Sequence, residues 1–281
     1  MSLKLFHVEQ LLFIYFLLCV IIFTGGGYGK YFIFFQSKGG VGKTPTALNL
    51  AAALVDRKRK VLVVDMDPQG NLSSGITNDE IQINGTVYDI IMKDADPKSV
   101  ISDTTHDGLK LIAGNPDSAG MEIELAVRGD WHYLLRNKLQ QLNSDFDYIF
   151  IDCPPSLGIL SLMSLNASDG VISTIQSEYY ALEGVTQLIK TIGLVKENYN
   201  SGLELKGVLL TMHDVRNNLA QDVESEVKGF FKDIVFKTAI PRNVRLAEAP
   251  SHGLSIFDYD NRSAGAESFK KLAKEFDKRF K

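Results

Sequence analysis

A glycine-rich loop between an apolar run and a helix-forming run constrains the fold of this chain more than any other feature. The loop reads Lys38-Gly39-Gly40-Val41-Gly42-Lys43-Thr44. It follows the β-branched and aromatic run Lys30 to Phe35 and precedes the Ala- and Leu-rich run Pro45 to Asp56. That order predicts a strand, a tight turn and a helix, which together begin an α/β fold.

Further short apolar runs predict buried strands along the chain. They are Val61 to Asp65, Leu109 to Ala113, Tyr148 to Asp152, Gly170 to Ile175 and Gly207 to Thr211. Because these runs do not alternate apolar and polar residues, they are typical of parallel strands covered on both faces. Helical stretches lie between them, the clearest being Ala181 to Lys196 and Asn217 to Phe231. We therefore expect one doubly wound, mostly parallel α/β domain.

The glycine-rich loop has the residues needed to bind phosphate groups. Backbone N–H groups of such a turn and of the following helix N-terminus converge on phosphate oxygens. Lys43 can reach the β- and γ-phosphates, and the Thr44 hydroxyl can ligate Mg²⁺. The usual pattern has glycine where this chain has Ser37, and a second lysine, Lys38, follows. Such a lysine could reach the nucleotide of a neighbouring subunit, which predicts a nucleotide held between two subunits; a solvated loop lysine is the alternative.

Acidic residues at two strand ends complete the predicted site. Asp65 and Asp67 fall near the carboxyl end of the sheet, where open α/β sheets bind ligands. Asp152 ends another predicted strand, and a carboxylate there can hold Mg²⁺. A second carboxylate is needed to orient the attacking water, and we assign that role to Asp67. The alternative for Asp67 and Asp152 is a helix cap or turn former.

Six segments of the chain closely resemble the ParA/Soj partition ATPases, also described as chromosome-partitioning proteins. The segments are KGGVGKT (38–44), DMDPQGN (65–71), FIDCPPSLG (150–158), SEYYALEG (177–184), GVLLTMHD (207–214) and IPRNVRLAEAPSHG (240–253). The resemblance covers about residues 29 to 278. It implies a single-domain P-loop NTPase of the SIMIBI type with a deviant Walker A sequence.

The resemblance also implies an activity and its partners. It implies an ATP-dependent sandwich homodimer that binds DNA non-specifically and hydrolyses ATP slowly until a ParB-type centromere-binding protein stimulates it. The implied cofactors are ATP and Mg²⁺, and the implied location is cytoplasmic and nucleoid-associated, without a membrane partner.

Residue roles follow from the positions that match. The implied catalytic residues are Lys38, Lys43 and Asp67, with Lys38 acting across the dimer. The implied Mg²⁺ ligands are Thr44, Asp67 and Asp152, and the implied DNA-binding residues are Arg216 and Arg245. The implied nucleotide-binding residues are Lys38, Gly39, Gly40, Val41, Gly42, Lys43, Thr44, Pro45, Met212, Pro241, Arg242 and Asn243.

Pro45 departs from the family pattern, which usually has Thr after Thr44. Proline is tolerated in a first helical turn, so we expect the fold to survive. However, it removes a backbone N–H that would face the α-phosphate, and it restricts the backbone of Thr44. We therefore predict weakened ATP binding or turnover.

Charge is unevenly distributed along the chain. The formal net charge is −4, yet residues 226–281 carry twelve Lys and Arg against eight Asp and Glu. Residues 1–225 are correspondingly acidic, at a net charge of −8. The last quarter contains Arg242 and Arg245 together with Lys228, Lys232 and Lys237. A basic region of this kind favours salt-sensitive, sequence-independent DNA binding, although a solvated face is the commoner explanation.

The N-terminal segment does not fit the family pattern. Leu11 to Phe23 is an unbroken apolar run of 13 residues, about 20 Å as a helix and shorter than the ~30 Å bilayer core. We expect residues 1–28 to be an extension outside the domain 29–281; a membrane anchor and an export signal are the alternatives. Leu5 to Gln10 can be encoded by DNA resembling the palindromic parS site, which suggests translation from a start codon too far upstream.

Two other functions compete with partitioning. A MinD-like membrane-positioning ATPase would need a C-terminal membrane helix, and Phe269, Leu272, Phe276 and Phe280 form an apolar stripe there. Such a stripe more often docks on the sheet. A nucleotide-binding switch with little turnover is a second alternative, because of Pro45. The histidines show no metal-ligand spacing and are expected at turns or on the surface.

Overall fold

The computed structural model describes residues 30–36, 39–177 and 181–281, with positions 119 and 181–184 described in backbone only. The predicted extension 1–28, Lys38, and Tyr179 and Tyr180 of the family-like segment lie outside the described residues. The extension and the domain boundary at residue 29 therefore stay predictions.

One sheet of seven strands runs through the described part of the chain. In chain order the strands are β1 (Lys30–Phe34), β2 (Val61–Asp65), β3 (Ser102–Asp103), β4 (Lys110–Ile112), β5 (Tyr148–Asp152), β6 (Gly170–Gln176) and β7 (Glu204–Thr211). The spatial order is β3-β4-β2-β5-β1-β6-β7. Neighbours are parallel except β3 and β4, which are antiparallel. The predicted doubly wound, mostly parallel α/β sheet is confirmed.

Helices connect the strands and cover both faces of the sheet. They are α1 (Lys43–Asp56), α2 (Asn71–Ser74), α3 (Val87–Met92), α4 (Ser118–Ala126), α5 (Trp131–Leu139), α6 (Ile159–Ala167), α7 (Ala181–Asn198), α8 (Asn218–Phe231), α9 (Val244–Glu248), α10 (Ile256–Asp260) and α11 (Ala264–Phe280). Short 3₁₀ turns occupy Gln140–Leu142, Lys232–Ile234 and Ala249–His252.

The strand pattern explains the two-sided core. Along β1, Phe32 and Phe34 enter the core on the face covered by α1 and α11, whereas Tyr31 and Ile33 enter the core on the opposite face. Side chains alternate between the faces of a strand, so a run that is apolar at every position fills both cores. This is why the apolar runs predicted the central strands well.

The C-terminal apolar stripe docks on the sheet. Phe269, Leu272 and Phe276 are fully buried in the core beneath α1, and Phe280 packs against it. The ring centroids of Phe32 and Phe276 lie 5.0 Å apart in an edge-on contact. The stripe is therefore used by the fold, as expected, and the MinD-like alternative loses its membrane helix. Within the described ranges, each helix is too short or too polar to span a bilayer.

Candidate nucleotide-binding site

The phosphate loop leads from the end of β1 into the first turn of α1. Gly40 and Gly42 adopt left-handed backbone angles, with φ of 75° and 84°, which glycine tolerates far better than other residues. Val41 is buried, and its carbonyl accepts a 2.8 Å hydrogen bond from the hydroxyl of Thr211 at the end of β7. The loop is thus fixed at the carboxyl end of the sheet, as predicted. Gly39 lies exposed in the same turn.

Lys43 and Thr44, the first two residues of α1, point toward neighbouring strand ends. The Lys43 side chain is only 7% exposed, and its Nζ donates to the Gln36 carbonyl at 3.2 Å. The Thr44 hydroxyl donates to Asp152 Oδ2 at 2.6 Å. The structure therefore brings together the predicted phosphate lysine and two of the predicted Mg²⁺ ligands.

Asp152 is a buried carboxylate whose surroundings disfavour its negative charge. It is 1% exposed at the end of β5. Burial and the negative charge of Asp65 raise the pKa of Asp152 to about 8, although the Thr44 hydrogen bond and the charge of Lys43 oppose this. Its Oδ1 has no hydrogen-bond partner among the described residues. A carboxylate with one oxygen lacking a hydrogen-bond partner and the other bonded to a threonine hydroxyl fits Mg²⁺, which prefers hard oxygen ligands and retains water.

Asp65 lies beside Asp152 in the sheet register; its position near the site was predicted, but no role was assigned to it. Burial raises the pKa of Asp65 to about 6, against hydrogen bonds that favour its charged form. Its carboxylate accepts from the Ser73 N–H at 2.8 Å, the Ser73 hydroxyl at 2.7 Å and the Asp67 N–H at 3.2 Å. The sequence signal for it was present, because Asp65 ends β2 as Asp152 ends β5.

Asp67 lies on the loop between β2 and α2. Its Oδ1 accepts a hydrogen bond from the Gln69 N–H at 3.0 Å, which makes a local turn, and its side chain is half-buried. The negative charge of Asp67 contributes to the raised pKa of Asp152, so the two carboxylates share one electrostatic environment. Its role in orienting water stays a prediction.

Pro45 is the third residue of α1, and the helix is intact from Lys43 to Asp56. The Thr46 N–H donates to the Gly42 carbonyl at 3.1 Å, and the Asn49 side chain donates to the Pro45 carbonyl at 2.8 Å. The first turn of a helix leaves its N–H groups without intrahelical partners, so proline costs no helical hydrogen bond there. The expectation that the fold tolerates Pro45 is confirmed.

Two segments that contain predicted nucleotide-binding residues lie side by side beyond β7. Met212 has a φ of 50°, which is unusual for a residue with a side chain. The next residue, His213, pairs with Pro241 through an isolated parallel bridge. Arg242 is exposed, and the Asn243 side chain caps α9 by accepting a backbone hydrogen bond. The bridge therefore brings the two segments together, and their contact with a nucleotide stays a prediction.

The predicted DNA-binding arginines are exposed and paired with nearby carboxylates. Arg216 is 87% exposed in its side chain and forms an ion pair with Asp214 at 2.9 Å. Arg245 is 54% exposed and pairs with Glu248 at 2.8 Å. Exposed pairs of this kind contribute little to stability, so phosphates could replace the carboxylates at small cost.

The expectation that all histidines lie at turns or on the surface was wrong. His106 and His213 are buried. His106 Nδ1 lies 2.7 Å from Asp258 Oδ2, and His213 lies 3.1 Å from both Ser177 Oγ and Glu224 Oε2. Each histidine is buried because its ring finds polar partners inside the fold.

The chain is similar to known proteins over most of its length. Residues 29–205 match a family model described as an AAA domain. The chain is 49% identical over 247 residues to the sporulation initiation inhibitor protein Soj of Bacillus subtilis, covering 88% of this chain and 98% of Soj. It is 46% identical over 251 residues to the chromosome partitioning protein ParA of Myxococcus xanthus, covering 89% of each.

A solved structure shows the same fold with ligands bound. The cobyrinic acid a,c-diamide synthase of Mycobacterium smegmatis, with a bound ATP analog and magnesium, is 33% identical and has a TM-score of 0.79. The similarity covers 90% of this chain and 96% of that one. The sequence identity to the partition proteins is higher and extends over almost the whole of Soj. The chain belongs to the ParA/Soj family of chromosome-partitioning ATPases.

Proposed function

We propose that this chain is a slow, Mg²⁺-dependent ATPase that segregates a chromosome or plasmid. In this proposal an ATP-sandwich homodimer binds DNA non-specifically and hydrolyses ATP when a ParB-type partner stimulates it. The observation that carries the ATPase proposal is the hydrogen bond from Thr44 to Asp152, whose other carboxylate oxygen is buried without a hydrogen-bond partner among the described residues.

The chain's own residues divide the work of binding and hydrolysis. The loop N–H groups and Lys43 would hold the phosphates, and Thr44, Asp67 and Asp152 would hold Mg²⁺ directly or through water. Bound Mg²⁺ supplies positive charge that neutralises the phosphates and the buried carboxylates. Asp67 would orient water, and burial of Lys43 would strengthen its electrostatic attraction for the phosphates by excluding solvent. Pro241, Arg242 and Asn243 would contact the adenine side, and Met212 would also contribute to nucleotide binding.

Dimerisation and DNA binding are proposed to be coupled. Lys38 of each subunit would reach the nucleotide of the other. Two copies of Arg216 and Arg245 would then act on one DNA molecule, so that ATP controls DNA affinity through effective concentration. Exposure of both arginines supports this assignment. A cytoplasmic, nucleoid-associated location follows from the same proposal.

DNA binding measured with ATP, ADP and no nucleotide tests the coupling. We expect tight binding only with ATP, and its loss in Lys43→Ala. Arg216→Ala should weaken DNA binding several-fold and reduce the salt dependence by about one phosphate contact, while leaving nucleotide affinity unchanged. DNA binding that does not depend on nucleotide would refute the proposed coupling between ATP-dependent dimerisation and DNA binding.

A nucleotide-binding switch with little turnover is the second candidate function. Pro45 favours it, because proline in the first turn of α1 supplies no N–H to a bound phosphate. ATP-dependent dimerisation and DNA binding without measurable hydrolysis, even with DNA and a ParB-type partner present, would establish this alternative.

A further inference from the structure

We propose that Ser73 is a positioning residue for hydrolysis, because its hydroxyl holds in place the loop that carries Asp67. The inference rests on the proposed ATPase function and adds to it a residue outside the family-like segments. Ser73 belongs to α2, the short helix that closes the loop after β2.

The carboxylate of Asp65 closes this loop at both ends. Its Oδ1 accepts from the N–H of Asp67, at the start of the loop, at 3.2 Å. Its Oδ2 accepts from the N–H and the hydroxyl of Ser73, at the end of the loop, at 2.8 and 2.7 Å. The orientation of Asp67 therefore depends on how firmly the Asp65 carboxylate is held.

The Ser73 hydroxyl joins this carboxylate to the next strand. It donates to Asp65 and accepts from the N–H of Gly114, just beyond β4, at 2.9 Å. One hydroxyl thus connects the carboxyl ends of β2 and β4, with the Asp67 loop between them. A single atom that both donates and accepts fixes its partners relative to each other.

The close packing of Gly114 gives independent support. A Cβ atom added to Gly114 would lie 3.0 Å from Asp65 Cγ and 3.1 Å from the Asp67 carbonyl oxygen. The backbone at Gly114 therefore touches both the carboxylate and the loop. The loop therefore packs closely against the segment that follows β4.

Removing the hydroxyl should loosen the loop without unfolding the protein. In Ser73→Ala, Asp65 loses one of three hydrogen bonds, and the Gly114 N–H loses its acceptor. The Ser73 N–H still binds Asp65, so the loop stays closed but less firmly oriented. Loss of orientation at a residue that positions water lowers the rate of hydrolysis more than nucleotide binding.

The test compares Ser73→Ala with Ser73→Thr and with the neighbouring variant Ser74→Ala. Ser74 is exposed, and its hydroxyl makes only a long 3.4 Å contact with the Asn71 carbonyl. We expect Ser73→Ala to lower the single-turnover hydrolysis rate about tenfold, with the Kd for Mg·ADP changed less than about twofold. Ser73→Thr keeps the hydroxyl and should restore the rate, and Ser74→Ala should match the wild type.

Two further measurements separate positioning from general destabilisation. In an Asp67→Ala background, Ser73→Ala should cause no further loss of rate, because its effect passes through Asp67. In the nucleotide-free protein, the amides of Asp67 and Gly114 should exchange hydrogen faster in Ser73→Ala than in the wild type.

The outcomes distinguish this inference from the proposed function. If the wild type is active and Ser73→Ala changes neither hydrolysis nor hydrogen exchange, the role of Ser73 is refuted but the ATPase function is not. The role of Ser73 is also refuted if Ser73→Ala weakens nucleotide affinity as much as it lowers the hydrolysis rate. A wild type that binds ATP but never hydrolyses it refutes the ATPase function itself, and the exchange data then still decide whether Ser73 anchors the loop.

Discussion

The two ends of the sheet hold buried carboxylates in opposite ways. At the carboxyl end, burial raises the pKa of Asp65 to about 6 and that of Asp152 to about 8. At the amino end, the Arg59 and Arg57 guanidinium groups hold the pKa of Asp277 below its ordinary value, against a smaller effect of burial. One end is short of positive charge, whereas the other is already balanced.

This difference separates the candidate nucleotide-binding end of the sheet from the end that stabilises the fold. Negative charge without a matching cation makes the carboxyl end unstable by itself and gives a bound cation a large effect. The ion pairs of Arg57 and Arg59 with Asp277 join the end of α1 to α11. A cavity of about 710 Å³ also lies at the amino end, near Lys60 and His106, away from the phosphate loop.

The largest predicted effect comes from removing the charge of Asp152. We expect Asp152→Asn to lower hydrolysis by about 100-fold or more, because a Mg²⁺ ligand is lost. Because the pKa of Asp152 is raised in the folded state, this carboxylate makes the folded protein progressively less stable as pH rises from about 4 to about 8. At about pH 8 and without metal, the free energy of unfolding of Asp152→Asn in urea should therefore exceed that of the wild type by roughly 1–3 kcal/mol. A less stable variant would contradict the contrast between the two ends.

The second effect concerns the missing N–H at Pro45. A hydrogen bond to a charged phosphate contributes about 1.5–3 kcal/mol, so Pro45→Thr should tighten the Kd for Mg·ATP by about tenfold or more. Calorimetric titration and hydrolysis rates measure the change. Pro45→Ala is the control, since it restores the N–H without adding a hydroxyl. Equal affinity and turnover in the wild type and Pro45→Thr would refute the prediction.

The third effect tests the balanced end. Asp277→Asn leaves Arg57 and Arg59 without their carboxylate, and we expect a loss of roughly 1–3 kcal/mol of unfolding free energy. This loss is smaller than that expected for a fully buried ion pair, because the Arg57 side chain is 38% exposed. Urea unfolding measures the loss. The Kd for Mg·ADP should stay within about twofold, and a larger change would show that the two ends are coupled.

The smallest effect is a pH dependence at His106. Burial lowers its pKa, but the hydrogen bond to Asp258 and the charges of Asp258 and Asp56 outweigh burial and raise it. A raised histidine pKa contributes stability below about pH 6.5, and this is lost as pH rises through the folded-state value. In urea unfolding, His106→Gln should therefore cost about 1 kcal/mol more at about pH 5.5 than at about pH 8.5, and an equal cost at the two pH values would contradict the raised pKa.

The sequence predicted the central strands and the phosphate loop because each is a local pattern. β5 was predicted with its observed bounds, since every residue of Tyr148–Asp152 is buried. β3 was missed because Ser102 and Asp103 pair only at the sheet edge and carry no apolar signal. The bounds of the long helix α8 were predicted to within one residue, whereas short helices such as α2 and α9 were not predicted.

The sequence predicted which side chains meet at the phosphate loop, but not the residues that hold them in place. Lys43, Thr44 and Asp152 follow from their places beside a loop and a strand end. The contact of Ser73 with Asp65 and Gly114 joins three separate segments, and a serine in a turn-like run gives no sign of it. Likewise, the main polar partner of the buried His106 is Asp258, which lies far along the chain.

The interior position of β1, between β5 and β6, has a consequence for how the protein folds during translation. Its neighbours β5 and β6 come much later in the chain, and Lys30 Nζ donates to the Phe280 carbonyl across a separation of 250 residues. Such distant pairing makes folding slow. During translation, the apolar β1 leaves the ribosome long before its partners exist, and its core closes only when α11 has emerged. Nascent chains that stall before α11 should therefore expose β1 to chaperones and to aggregation.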